Sequence, residues 1–148
     1  MGTRSAIGVK DINGSIRAVY CHWDGYLKHN GRILLENYTT MDLANELLDY
    51  GDMSSLREKI HPNVNSEHSF ENPQEGVCIF YHRDREEDWE DVSATTFEKD
   101  SDFLKYYDDS EYFYLFVDGT WYYIDTWDWG YVQGEDVNWK KLTLEDCM

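Results

Sequence analysis

Basic residues are scarce in this chain, and their scarcity limits the partners that it can have. The 148 residues include 13 Lys and Arg against 30 Asp and Glu, which gives a formal net charge of −17 at pH 7. Such a charge repels the phosphates of nucleic acids and of anionic lipids. We therefore expect no direct nucleic-acid partner and no membrane partner. A basic protein surface, divalent cations or a protein that normally binds DNA would be attracted instead.

Cysteine is sparse as well, with only Cys21, Cys78 and Cys147. An odd number of cysteines without Cys-x-x-Cys spacing predicts neither a disulfide framework nor a zinc ribbon. A zinc site from Cys21, Cys78 and His82 is conceivable, because Cys78 and His82 would share a strand face. It would still need a fourth ligand, so burial of Cys78 in the core is the favoured interpretation.

Long apolar runs and signature motifs are missing too. No segment is long and apolar enough for a signal peptide or a membrane-spanning helix. GxGxxG, Walker A, HExxH and GxSxG patterns are absent, and residues 84–91 lack the central glycine and ligand spacing of an EF-hand. The sequence therefore predicts no cofactor, no dedicated metal site and no catalytic residue, and a reducing cytoplasm as the location.

The composition that is present indicates one folded domain over residues 1–148. Apolar residues make up 41% of the chain and aromatic residues 16%, which is too rich for a disordered acidic tail. The patterns predict an α+β fold, an antiparallel sheet of about five strands with two or three helices on one face.

Local signals predict several elements of this fold. Strands over residues 5–9 and 16–23 flank an Asn13-Gly14 turn. Helices are predicted over residues 32–38 and between an N-cap at Thr39 and Gly51. Further predictions, in chain order, are a short helix after Ser54 or Ser55, a loop over residues 62–76, a strand over 77–81, a helix over 97–108 and an edge strand within 137–142.

The clearest local prediction is a hairpin around Asp118-Gly119, a pair that favours a type I′ turn. A two-residue loop makes Phe116 face Trp121 and Tyr114 face Tyr123. Both faces of the hairpin are then apolar or aromatic. Either the hairpin is central and covered on both faces, or it shows one aromatic face to a partner.

Most of the negative charge lies in the second half. Residues 76–148 carry 19 acidic against 6 basic residues, a net of −13, whereas residues 1–75 carry 11 against 7, a net of −4. These carboxylates either form a solvated face or imitate the phosphates of duplex DNA, which carries one charge per roughly 1.7 Å of axis. The predicted partner-binding carboxylates are Asp84, Glu86, Glu87, Asp88, Glu90, Asp91, Asp100, Asp102, Asp108, Asp109 and Glu111. The predicted apolar anchors are Trp89, Trp127 and Trp129.

Residues 20–26, with the sequence YCHWDGY, bring a thiol, an imidazole and a carboxylate together. On a strand Cys21 and His22 point to opposite faces, so they cannot act as nucleophile and base. We expect Cys21 and Trp23 to be buried. Together with the opening MGTRSAIG, this segment resembles a group of small, uncharacterised proteins of tailed bacteriophages, and the likeness extends through residues 51–56. The resemblance implies a phage origin and no particular activity.

The leading hypothesis is a non-enzymatic phage accessory protein in the cytoplasm of an infected cell. It would bind and inhibit a host protein with a basic, nucleic-acid-binding surface, by acidic DNA mimicry, and anti-restriction, anti-CRISPR and host-polymerase targets all fit. The alternative is a small-molecule or nucleotide-binding protein with a pocket lined by Trp23, Tyr26 and the aromatic hairpin. A third hypothesis is a metal-dependent hydrolase that uses paired carboxylates.

Overall fold

The computed structural model describes residues 2–128, 132–133 and 136–148. The strands are β1 (Ser5–Lys10), β2 (Ile16–Cys21), β3 (Met53–Ser55), β4 (Ile79–Phe80), β5 (Thr95–Phe97), β6 (Tyr112–Val117), β7 (Thr120–Asp125), β8 (Val132–Gln133), β9 (Asp136–Val137) and β10 (Lys140–Lys141). The helices are α1 (Arg32–Asn37), α2 (Met41–Asp49), α3 (Tyr81–Arg85), α4 (Trp89–Val92) and α5 (Asp100–Tyr106). A π-helical turn, Leu27–Gly31, leads into α1, and a 3-10 turn, Glu145–Cys147, lies near the end of the chain.

Eight strands form one mixed sheet in the order β10-β7-β6-β1-β2-β3-β4, with β5 also beside β2. The expected sheet of about five antiparallel strands is therefore only roughly matched. β1 pairs in parallel with β6, and β2 in parallel with β3. Local patterns predicted the hairpins, but they do not reveal which strands distant in sequence will pair.

Helices cover both faces of the sheet, whereas the sequence predicted them on one face. The π-helical turn, α1 and α2 pack over a core that includes Ile7, Val19 and Tyr114. On the other face α5 packs against a second core that includes Ala18 and Phe113. The β6–β7 hairpin is thus covered on both sides, which explains why both of its faces are apolar.

The hairpin has the predicted register. Phe116 is opposite Trp121 and Tyr114 is opposite Tyr123, and the turn residues Asp118 and Gly119 both have positive φ. The polar tips of the buried rings are hydrogen-bonded. Tyr114 donates its hydroxyl to the carbonyl of Gly25 (2.6 Å), and Trp121 donates its indole N–H to the carbonyl of Tyr38 (2.8 Å). Most aromatic rings of the hairpin are therefore core, whereas Tyr112 and Tyr122 are half-buried.

Some local predictions were wrong by a few residues or in type. Thr40, not Thr39, caps α2, while Gly51 ends it with φ +81° as expected. No helix follows Ser54, because Met53–Ser55 is buried as β3 and pairs with β2 and β4. Other differences, in chain order, are a β2 that ends at Cys21, a strand reduced to Ile79–Phe80, and a helix that begins at Asp100 because Thr95–Phe97 is a strand.

The predicted edge strand is present as β10, which pairs with β7. Residues 62–76 contain no helix and no strand, as predicted. Among the described residues, no helix is both long and apolar enough to cross a bilayer.

Candidate partner-binding surface

Asp84, the first carboxylate of the acidic run, is not on the surface. Its side chain is 2% exposed and accepts hydrogen bonds from the backbone N–H of Phe80 (2.8 Å) and from Nε of Arg83 (2.9 Å). This placement corrects the prediction that Asp84 contacts a partner. A buried carboxylate needs such partners, and here the adjacent arginine supplies the compensating charge.

The buried His68 lies 3.4 Å from Asp84, a pairing that would suit a general base. The backbone N–H of Gln74 donates to Nδ1 of His68 (3.0 Å), so the ring proton is on Nε2. Nε2 then donates to the carbonyl of Cys78 (3.0 Å). Both ring nitrogens are occupied, so His68 fixes the loop of residues 62–76 to β4 and is not placed to accept a proton from a substrate.

The remaining carboxylates of the run form a surface segment, which we call acidic segment 86–91. Glu86 ends α3 in the left-handed region, with φ 61°, and α4 begins at Trp89. Glu87 lies 3.6 Å from the guanidinium of Arg85. Within the described part of the chain, no other carboxylate of this segment has a basic side chain at ion-pair distance. Its uncompensated charge therefore acts on the surrounding solvent and on approaching partners.

Trp89 lies within this segment and is 41% exposed. Its ring packs edge-on against His82 with 5.3 Å between the ring centres. His82 donates its Nδ1–H to the carbonyl of Glu87 (2.8 Å), which holds the imidazole in place. An aromatic side chain that is partly exposed and packed against a fixed neighbour is a suitable anchor for a protein partner.

A second group of surface carboxylates follows α5, and we call it acidic segment 108–111. Asp108 and Asp109 are exposed, and Glu111 is half-buried. The backbone N–H of Glu111 donates to the carbonyl of Arg4 (2.9 Å), so the segment lies at the start of β1. None of its carboxylates forms an ion pair with a described residue.

Asp100 and Asp102 lie apart from both segments. Asp100 pairs with Lys10 (2.8 Å) and accepts a hydrogen bond from the indole of Trp139 (2.9 Å). Lys10 ends β1, whereas acidic segment 108–111 lies at its beginning, about 17 Å away along a six-residue strand. The predicted set is therefore not one patch: Asp100 is neutralised, and Asp102 is exposed at the far end of α5.

Tyr20 on β2 connects the two acidic segments. Burial raises the pKa of its phenol, Arg4 lowers that pKa, and Asp109 raises it. Burial raises the pKa of Tyr81 to about 12, with contributions from Tyr20 and Glu87.

Backbone hydrogen bonds give the same arrangement. The N–H of Glu87 donates to the carbonyl of Tyr81 (3.1 Å). Asp52 accepts from the backbone N–H groups of Tyr81 (3.2 Å) and Tyr20 (2.8 Å). The two segments therefore flank a single strip formed by Tyr20 and Tyr81. The Tyr20 hydroxyl is hydrogen-bonded to Nδ1 of His22 (2.9 Å).

Asp52 lies beneath this strip and fills a gap in the sheet. On the outer edge of β2, residues 16–18 pair with β5 and Cys21 pairs with β3. Between them, Oδ1 of Asp52 accepts the backbone N–H of Tyr20 (2.8 Å). Burial, opposed by this hydrogen bond, raises the pKa of the Asp52 carboxyl to about 6, and Glu87 adds to the rise.

Trp127, another predicted anchor, is 78% exposed. It follows Thr126, whose backbone N–H donates to the carbonyl of Glu111 (3.0 Å), so it lies beside acidic segment 108–111. Trp129 lies outside the described residues.

Sequence reasoning missed how residues 1–8 and residues 20–26 meet. The backbone N–H of Gly25 donates to the carbonyl of Thr3 (2.8 Å). The side-chain amide of the fully buried Asn30 donates to Ser5 Oγ (3.3 Å) and to the carbonyl of Trp23 (3.2 Å). Trp23 is 42% exposed rather than buried, because β2 ends before it. The two segments are therefore one structural unit, and the sequence carries no local signal of it, because the burial of Asn30 depends on contacts with residues distant in the chain.

The buried Cys21 is not a nucleophile. Burial raises the pKa of its thiol to about 12, which keeps it in the unreactive thiol form at neutral pH. The zinc hypothesis also lacks support in the geometry, because Cys78 precedes β4 and contacts Tyr38 while His82 is exposed on α3. Across the described residues, no three His, Cys, Asp or Glu side chains are grouped so that they could hold a metal ion.

The aromatic-pocket hypothesis requires accessible rings on the hairpin. Tyr114, Phe116 and Trp121 are buried, so they do not form the wall of such a pocket.

Comparison with models of known protein families, with curated proteins and with solved structures finds no match.

Proposed function

We propose that this protein is a non-enzymatic phage accessory protein. It binds a host protein whose surface is basic and normally holds nucleic acid, and it blocks that surface. Host restriction enzymes, CRISPR effectors and polymerases belong to this class of target. The protein acts in the cytoplasm of the infected cell.

One observation carries this proposal: acidic segments 86–91 and 108–111 border the strip formed by Tyr20 and Tyr81, and among the described residues only Glu87 of these carboxylates lies within ion-pair distance of a basic side chain. If these carboxylates formed only a solvated face, interspersed lysines would stabilise it, because they reduce the repulsion among carboxylates. Uncompensated carboxylates instead attract a basic surface over long range and accelerate its capture. They take the role of phosphates in the groove of the partner.

Charge alone steers a partner but contributes little lasting affinity, so an apolar contact is also needed. Trp89 within one segment and Trp127 beside the other are exposed rings that a partner can desolvate. Both rings lie close to the carboxylates, and they are the hot spots that supply most of the binding energy.

Affinity capture from a lysate of bacterial host cells tests the proposal. A reversal variant carries Glu86→Lys, Glu87→Lys, Asp88→Lys, Glu90→Lys and Asp91→Lys. A control variant has the same change in charge at exposed positions elsewhere: Asp42→Lys, Glu58→Lys, Glu67→Lys, Glu71→Lys and Glu75→Lys. The native protein and the control variant should capture the same nucleic-acid-binding factor, and the reversal variant should not. Capture of that factor by the reversal variant would refute mimicry.

A further inference from the structure

A cavity lies beside the C-terminal end of α5, and its lining includes neither residue of the strip formed by Tyr20 and Tyr81. We propose that it binds a small zwitterionic molecule of the amino-acid type with an apolar side chain. The cavity has a volume of about 380 Å³. This volume lies in the range of ligand sites in proteins, and it is large enough for a free amino acid. Its lining residues are Ser101, Leu104, Lys105, Asp108, Ser110, Phe113 and Thr126.

Ser110 supplies the first observation that points to a ligand. The residue is 3% exposed, and its hydroxyl is the one buried side-chain N or O atom among the described residues without a hydrogen-bond partner. Buried polar groups in proteins are nearly always paired, and an orphaned one requires an explanation. Ser110 lines the cavity, and serine has three staggered positions about its Cα–Cβ bond, so we infer that its hydroxyl rotates toward an acceptor when a ligand binds.

Two opposite charges supply the second observation. Lys105 and Asp108 both line the cavity, and neither forms an ion pair within the described chain. A ligand with one carboxylate and one ammonium group would pair with both. A purely anionic ligand would be repelled by the net charge of −17, whereas a purely cationic one would leave Lys105 without a partner. A zwitterion carries no net charge and pairs with both Lys105 and Asp108.

Leu104 and Phe113 form the apolar part of the lining. They belong to the core beneath α5, so the floor of the cavity is apolar. Such a floor favours an apolar side chain on the ligand. Leucine, methionine and phenylalanine combine this side chain with the two charges, and they are the probes that we would use.

Titration of the ¹⁵N-labelled protein with each amino acid, followed by two-dimensional NMR, tests the inference. The amide signals of Lys105, Ser110 and Thr126 should shift and saturate. N-acetyl-L-leucine lacks the ammonium group and L-leucinamide lacks the carboxylate, so each should bind about tenfold or more weakly than L-leucine. Absence of saturable shifts up to the solubility limit of all three amino acids would overturn the proposal. Equal binding of L-leucine and its two derivatives would overturn it as well.

Ser110→Ala separates a ligand contact from a structural role. Its hydroxyl bonds to nothing in the chain, so the variant should unfold at the same urea concentration as the native protein, or at a higher one. Its affinity for L-leucine should nevertheless fall several-fold. Lys105→Met should lose affinity about tenfold or more, whereas Lys141→Met, an exposed lysine outside the cavity, should lose none. Unchanged affinity in both Ser110→Ala and Lys105→Met would contradict the site.

This inference does not depend on the proposed function. The reversal variant changes no residue of the cavity lining, and it should bind L-leucine as the native protein does. Loss of protein capture with retained amino-acid binding, or the opposite result, therefore tells the two proposals apart.

Discussion

Replacement of Asp52 by asparagine should stabilise the protein at neutral pH. The carboxyl has its pKa raised from 3.8 to about 6, so its ionisation in the folded state is unfavourable. The oxygen that accepts the Tyr20 N–H is retained in an asparagine side chain, so the gap in β2 stays filled. The substitution removes the cost of the buried charge and keeps the hydrogen bond.

The magnitude follows from the difference between the two pKa values. A difference of about two pKa units corresponds to about 3 kcal/mol at most. The folded state binds the proton more tightly than the unfolded state, so the stability contributed by this residue falls as pH rises from about 4 to about 6. At pH 7 the whole cost is present. Below pH 4 both side chains are neutral, and the native protein and Asp52→Asn should have similar stability.

Urea unfolding followed by tryptophan fluorescence at pH 4 and pH 7 measures this difference. Asp52→Asn should exceed the native protein by about 1–3 kcal/mol at pH 7 and by little at pH 4. Asp91→Asn, at an exposed position, is the control and should stay within about 0.5 kcal/mol of the native protein at both pH values. A loss of stability in Asp52→Asn at pH 7, or a gain that does not depend on pH, would refute the reasoning.

Two further predictions concern the rings and the thiols. Trp127→Ala should leave the free energy of unfolding within about 0.5 kcal/mol of the native value because its ring is exposed, whereas Trp121→Ala should cost about 3–5 kcal/mol because it empties the core and removes the bond to Tyr38. Equal losses in urea unfolding would contradict that assignment. Cys21 and Cys78 should resist a thiol reagent in the native protein and react fully in urea, because both thiols are buried and burial raises their pKa. Fast modification of either in the folded state would be inconsistent with the structure.

Features of the fold that depend on neighbours in sequence could be predicted, and features that depend on distant contacts could not. Asp118-Gly119 fixed one hairpin with its register, and Asn13-Gly14 fixed another. No local pattern indicates that β6 joins β1 in parallel, because that pairing follows from how the intervening helices pack. Ser54 illustrates the same limit: a good helix cap by residue type, it is buried in a strand because β3 pairs with β2 and β4.

The acidic surface shows a similar division. Composition identified the carboxylates, and most of those in residues 86–91 are exposed as expected. Sequence could not reveal that Asp84 is buried, since its burial depends on the positions of Phe80 and Arg83 in three dimensions. It also could not reveal that residues 108–111 return to the strip formed by Tyr20 and Tyr81, while Asp100 lies at the opposite end of β1, paired with Lys10.

Displacement of duplex DNA from the captured host factor tests the central claim most directly. A fluorescent duplex is bound to the factor, and the protein is added at increasing concentration while anisotropy is recorded. We expect the native protein and the control variant to displace the duplex, with an apparent affinity that falls as salt rises, and we expect no displacement by the reversal variant. A complex in which the factor holds the duplex and the native protein at once would contradict the claim that the carboxylates occupy the site of the phosphates.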